Sequence, residues 1–175
     1  MSHSQSNKFV DIFRSVPVDR TFIQNERQTL TYGEVNVLID RFSKQYSWLA
    51  GRRCAIISGS RYELARYLPL VASLASKIYL QPKLIEKETA QEFYRKSGID
   101  SVISIDDSGV DVKEISNTQP SEDRSLRQKW LLSTSGTTGT PKLVTYNLDS
   151  LMLSSKKSLL RGGEFNWGMC YDLNR

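Results

Sequence analysis

The chain has few of the residues that most often do chemistry or cross-link a fold. Its 175 residues include one histidine, His3, in a polar N-terminal stretch. A Ser–His or Cys–His nucleophile pair therefore has nothing to be built from. The two cysteines, Cys54 and Cys170, lie in no CxxC or Cys/His spacing, which excludes a zinc site and reads as two free thiols of a reducing compartment. No apolar run approaches the ~20 residues that span a bilayer. The most apolar stretch, residues 64–80, is interrupted by Arg66 and Lys77. The first residues, MSHSQSNKF, contain no apolar segment of the secretory kind. Internal repeats and low-complexity tracts are also missing. These absences point to a cytoplasmic protein without an integral membrane segment.

What is present suits a folded domain. Hydrophobic residues make up 39% and charged residues 25%, and a chain of this length buries enough surface to fold without metals or disulfides. The net charge is +5. Up to Asp123 the chain carries 16 basic and 16 acidic side chains; from Arg124 onward it carries 8 and 3, which together account for the 24 and 19 of the whole. The excess of one sign lies in the last third, and a basic region attracts anions. No interleaved aromatic and basic pattern and no helix-turn-helix signature accompanies it, so nucleic acid is not the expected partner.

Periodicity lays out alternating strands and helices. Phe22-Ile23 and Thr29-Leu30 flank a polar turn and read as a small hairpin. Thr31 with Glu34 forms a capping box ahead of a helix over 32–49, ended by Gly51. Cys54 to Ile57 is a short apolar strand. Ser60 with Glu63 is a second capping box, and Pro69 is expected to kink the following helix or mark its start. Ile78-Tyr79-Leu80 is a strand, 85–96 a helix closed by Gly98, and Ser101 to Ile105 a third strand. This order predicts an α/β fold with a mostly parallel sheet and flanking helices. Residues 1–8 read as a disordered tail, 9–105 as an N-terminal α/β lobe, and 106–128 as a polar connection. Residues 129–175 read as a strand–loop–strand–helix segment, with strands at Trp130–Ser133 and Leu143–Tyr146. A helix over 148–160 follows, capped by Asn147 and stopped by Gly162-Gly163. A further strand over Trp167–Tyr171 would then begin just before the chain ends, as if the domain were cut at 175.

The loop between the last two strands is the informative segment. Ser133-Thr134-Ser135-Gly136-Thr137-Thr138-Gly139-Thr140-Pro141-Lys142 combines two glycines, a run of hydroxyl side chains and one lysine. Glycines let backbone N–H groups turn toward an oxyanion, hydroxyls add donors without bulk, and Lys142 adds a point charge. This is a cradle for a polyanion. It is not the P-loop in which lysine directly follows the second glycine and opens a helix: here Lys142 follows a proline, and a strand comes next. A flexible Ser/Thr/Gly linker, the bland alternative, does not usually sit between two apolar strands or end in Pro-Lys.

LLSTSGTTGTPKLV resembles the phosphate-loop signature of the adenylate-forming enzymes: acyl-CoA synthetases, the adenylation domains of peptide synthetases, and luciferases. Their pattern is TSG[ST]TGxPKG, and every defined position but the last matches; the closing glycine is Leu143 here. Leu30-Thr31-Tyr32-Gly33-Glu34-Val35 is similar to the family's early LTYxEL segment. A second departure is Lys77, before a strand that glycine usually precedes, with Gln81-Pro82 after it. The resemblance covers nearly the whole chain but only the front of the family's much longer one, making this the incomplete N-terminal part of a larger domain.

The resemblance implies an ATP-dependent ligase that turns a carboxylic acid and Mg-ATP into acyl-AMP and pyrophosphate, then passes the acyl group to a thiol of coenzyme A or phosphopantetheine. It carries Thr134, Ser135, Gly136, Thr137, Thr138, Gly139 and Lys142 over as ATP-phosphate contacts. No metal ligand and no catalytic residue can be placed, because the family's magnesium-binding glutamate and catalytic lysine lie beyond the matched region. Activity is thus expected to need a missing C-terminal portion or a complementing chain. A stand-alone nucleotide- or phosphate-binding module, or a subunit without catalysis of its own, is the competing reading. Lys156-Lys157 and Arg52-Arg53 read as surface charge, and Trp130 and Trp167 as packing anchors.

Overall fold

The computed structural model describes residues 8–106, 108–115, 127–134 and 141–153. The early hairpin forms as β1 (Thr21–Gln24) and β2 (Thr29–Thr31), paired antiparallel. The Asn25 side chain closes its turn by accepting from the backbone N–H groups of Arg27 and Gln28, both at 2.9 Å. One helix precedes it that the sequence reading did not find. α1 (Lys8–Arg14) turns Phe9 and Phe13 inward onto Phe22, Tyr32 and Trp130, with ring centroids 5.1–5.7 Å apart.

α2 (Tyr32–Gln45) begins at the expected capping box. The Glu34 N–H donates to Thr31 Oγ1 at 3.2 Å, and the Thr31 N–H donates to Glu34 Oε2 at 2.7 Å. The helix ends four residues earlier than expected. Tyr46 leaves helical geometry, a 3-10 turn over Ser47–Leu49 carries Leu49 into the core, and Gly51 takes φ 77°.

Six strands form the main sheet: β3 (Arg53–Ser58), β4 (Lys77–Gln81), β5 (Ser101–Asp106), β6 (Gly109–Glu114), β7 (Lys129–Thr134) and β8 (Lys142–Asn147). Their order is β6-β5-β3-β4-β7-β8. The four central strands run parallel, and β6 and β8 are antiparallel edges. The mostly parallel α/β sheet expected from the sequence is the one observed. β6 corrects the reading of 106–128 as a plain connection. Val110 and Val112 pack toward the core and alternate with Asp111 and Lys113, while Asp106 accepts from the Ser108 backbone N–H at 2.8 Å to turn the chain back.

Between β3 and β4 lies α3 (Arg61–Ala72). The Ser60 hydroxyl caps it through the Glu63 N–H at 3.2 Å. The second capping box forms only by half, because the Glu63 carboxylate turns to Arg66 at 3.3 Å. Pro69 lies inside the helix rather than at its start. The last carbonyls of this segment are satisfied from far along the chain: Gln128 Nε2 donates to Ala72 O and Ala75 O at 2.7 and 2.8 Å. α4 (Lys87–Ser97) begins two residues later than expected and ends at Gly98, φ 65°. α5 (Leu148–Leu151) is capped by Asn147, whose Oδ1 accepts from the Ser150 N–H at 2.7 Å. The rest of the expected helix to residue 160, Gly162-Gly163, Lys156-Lys157, Cys170 and the Trp167–Tyr171 strand lie outside the described residues.

Strand alternation sorts the core onto two faces. Cys54, Ile56, Ile78, Leu80, Ile103 and Trp130 join the side chains of α1, α2 and α3 on one face. Ala55, Tyr79 and Leu131 join Phe93 of α4 on the other. At the amino end of the sheet Asp100 holds β3 and β5 together. It accepts from the Arg53 backbone N–H at 3.0 Å and from Arg53 Nε at 3.1 Å, and both side chains are buried.

Candidate functional site

β7 is parallel to β4, so Thr134, its last residue, stands at the carboxyl end of the parallel strands. Ligands of open α/β sheets bind at this end, where the connections of neighbouring strands leave for opposite faces. Here β3 leads to α3 on one face and β4 leads to α4 on the other. The turn after β3 is tight: Ser58 Oγ donates to Ser60 O at 2.9 Å, and the Ser60 N–H donates to Ser58 Oγ at 3.2 Å. Gly59 lets Lys83 cross it closely, since a Cβ there would stand 2.9 Å from Lys83 Nζ. That ammonium, on the segment after β4, is a feature the sequence reading did not single out.

The hydroxyl- and glycine-rich loop is bounded on both sides by strands. Thr134 and Lys142 are register partners in the β7–β8 ladder, and Thr134 Oγ1 donates to Lys142 O at 3.4 Å. The two outer members of the sequence-predicted site are thus brought together. Both side chains are exposed. Ser135, Gly136, Thr137, Thr138 and Gly139 lie outside the described residues. A strand, not a helix, begins at Lys142, which separates this arrangement from a P-loop.

Near the carboxyl end of β7 the face covered by α4 is partly polar. Burial pushes the Tyr79 phenol up to about 12, while the Ser133 hydroxyl nearby pulls the other way. The Tyr94 hydroxyl donates to Gln81 Oε1. Leu143, where the family signature has glycine, is half-buried against the Tyr79 cluster. Trp130 is buried against Phe9 in the opposite face, a packing position. Cys54 is also buried, and its thiol is pushed up to about 12 by desolvation first and by Asp100 second, which leaves it unreactive. Among the described residues no three His, Cys, Asp or Glu side chains gather as a metal site, and no helix is long and apolar enough to cross a membrane.

The sequence matches no family model and no curated protein. Its three-dimensional likeness is clear. The o-succinylbenzoate–coenzyme A synthetase of Bacillus subtilis, solved in complex with AMP, aligns with a TM-score of 0.64 and 18% identity over 89% of this chain and 46% of that one. This chain has the fold of the N-terminal portion of an adenylate-forming enzyme. The same synthetase with ATP and magnesium ion gives 0.63 and 17% identity, over 89% of this chain and 47% of that one. The N-terminal subdomain of Klebsiella oxytoca NpsA, in complex with 3-hydroxyanthranilyl-AMSN, gives 0.56 and 18% identity, over 79% and 39%. The chain spans less than half the length of each of these structures.

Proposed function

We propose that this adenylate-forming fold is the N-terminal, ATP-phosphate-binding part of an ATP-dependent carboxylate-activating ligase. The observation that carries the proposal is the Thr134–Lys142 strand pair, which closes a TSGTTGTPK loop at the carboxyl end of a parallel sheet. Structures of the same fold contain AMP in one case and ATP with magnesium ion in another.

In this reading Thr134, Ser135, Gly136, Thr137, Thr138, Gly139 and Lys142 hold the β- and γ-phosphates. A carboxylate attacks the α-phosphorus, the bond to the β-phosphate bridging oxygen breaks, and pyrophosphate leaves as acyl-AMP forms. A coenzyme A or phosphopantetheine thiol then displaces AMP. The loop contributes position and electrostatics, since negative charge grows on the departing pyrophosphate. Hydroxyls, backbone donors and one ammonium fit a polyphosphate. The loop contains no carboxylate, so Mg2+ enters with the ATP rather than with this segment. The work belongs to the cytoplasm.

Carboxylate-dependent ATP–pyrophosphate exchange tests the proposal. The isolated chain is expected to bind Mg-ATP and to show no exchange. Exchange is expected when a C-terminal portion or complementing chain is supplied. Robust exchange by the isolated chain would overturn the division of labour, and absence of nucleotide binding would overturn the reading itself. Nucleotide binding with no exchange under any complementation would favour the stand-alone binding module.

A further inference from the structure

The second residue of β8 is Leu143, where the family signature has glycine. Leu143 packs on the cluster of Ala55, Tyr79, Phe93 and Leu131, on the face covered by α4, whereas Tyr146 packs on the cluster of the opposite face. Residues two apart in a strand share a face. Lys142, Val144 and Tyr146 therefore lie on one side of the sheet, and Leu143, Thr145 and Asn147 on the other. Thr145 and Asn147 are exposed. Among the described residues, Leu143 is thus the one side chain of β8 that ties the strand to the α4 cluster.

This anchor adjoins the cation of the candidate site. The Lys142 side chain is exposed, but its backbone is held from several directions. Pro141, before it, has its own φ fixed by the ring. Thr134 is its register partner in β7. Leu143, after it, pairs with Ser133 and sits in the α4-side cluster. In the described sheet β8 is an edge strand, bonded to β7 alone. Packing of its side chains therefore adds to what one ladder can do to hold its first residues. Glycine at 143 would bring no side chain to the cluster and would loosen the backbone beside the lysine.

We propose that Leu143 is a positioning residue for Lys142. Its seat in the Tyr79–Leu131 cluster fixes the start of β8, so the ammonium projects from backbone that is ordered before polyphosphate arrives. Binding then orders the lysine side chain but not the strand beneath it, and affinity gains what a loose strand end would lose. Leu143 offers a phosphate no polar group and lies on the face opposite Lys142. It acts through the backbone between them. The inference rests on the phosphate-binding reading above.

Mg-ATP and inorganic pyrophosphate, titrated well below the thermal midpoints into the parent chain, Leu143→Met, Leu143→Ala and Leu143→Gly, test it. Leu143→Met keeps the apolar seat and should bind within about twofold of the parent. Leu143→Ala should weaken both ligands, and Leu143→Gly should weaken them further, by about three- to tenfold. Placed on Lys142→Ala, Leu143→Gly should cost no further affinity, although it lowers the thermal midpoint in both backgrounds. In the ligand-free chain, Leu143→Gly should speed hydrogen exchange at residues 142–144 and spare the ladder between β3 and β4. Leu143→Ala carries the same comparisons if the glycine variant does not stay folded. Parental affinity in these variants overturns the role. So does a loss that persists in full on Lys142→Ala, and so does unchanged exchange at residues 142–144. If the parent chain binds neither ligand, the phosphate-binding reading fails and the positioning role goes with it. If the parent binds both and Leu143→Gly matches it, only the positioning role fails.

Discussion

Thr134 and Lys142 face each other as the final register pair of the β7–β8 ladder, with Thr134 Oγ1 3.4 Å from the Lys142 carbonyl oxygen. The pair fixes the distance between the two ends of the glycine- and hydroxyl-rich loop. It also orients the chain so that Lys142 enters β8 rather than a helix. On the proposed reading, the site's affinity for polyphosphate would come from the loop and Lys142, since a strand rather than a helix follows the loop.

Leu143→Gly restores the family signature and tests whether β8 depends on this departure from it. Leu143 packs on the Tyr79 and Leu131 cluster from a half-buried position. Losing that side chain, together with placing glycine inside a strand, should lower stability by about 2 kcal/mol in urea unfolding. An unchanged urea midpoint would contradict the packing described for β8.

Asp100→Ala removes one half of a buried ion pair. Arg53 would lose partners at both its backbone N–H and its Nε, and the Ser101 hydroxyl would lose its acceptor at 3.0 Å. Leaving a buried guanidinium without its carboxylate costs about 3–5 kcal/mol, so the variant should unfold at much lower denaturant concentration. A loss below about 1 kcal/mol, the range of exposed ion pairs, would show that the pair is hydrated.

Stability should fall at alkaline pH. Cys54 is raised from an ordinary 9.0 to about 12, chiefly by burial, and Tyr79 from 10.0 to about 12 for the same reason. Both groups are neutral when protonated. The unfolded chain therefore releases these protons at lower pH than the native chain, and the native state binds more protons between the two values. Stability from this source is complete below about pH 9 and is lost as pH rises toward 12. Urea midpoints at pH 7, 9 and 10.5 should decline in that order, and Tyr79→Phe should flatten the later part of the decline. A midpoint that rises over this range would contradict the burial of both groups.

The sequence made some elements readable and hid others for identifiable reasons. The Thr31–Glu34 capping box and Gly98 marked helix ends because each carries local chemistry that needs no tertiary partner. The central parallel strands stood out as short apolar runs. α1 was missed because its signal is two aromatics, Phe9 and Phe13, whose partners lie far along the chain at Phe22, Tyr32 and Trp130. β6 was missed because polar residues dominate its surroundings, although Val110 and Val112 alternate as an edge strand should. Glu63 fits a capping box by spacing, but the choice between the cap and Arg66 is made by local geometry. At the candidate site the structure adds the pairing of Thr134 with Lys142, while Ser135, Gly136, Thr137, Thr138 and Gly139 lie outside the described residues. The nearness of Tyr79 to Ser133 was not legible, because it depends on strand order: β4 and β7 are neighbours only because β5 crosses to the other side of β3.

The central claim is that the loop between β7 and β8 binds polyphosphate through Lys142. Calorimetric titration of Mg-ATP into the chain and into Lys142→Ala tests it most directly. Lys142 is exposed, so the substitution should leave the thermal midpoint in place. The account predicts saturable binding by the parent chain and a loss of about tenfold or more in the variant, the scale of a charge-assisted hydrogen bond. Equal affinities for parent and variant, or no binding by a folded parent chain, would contradict it.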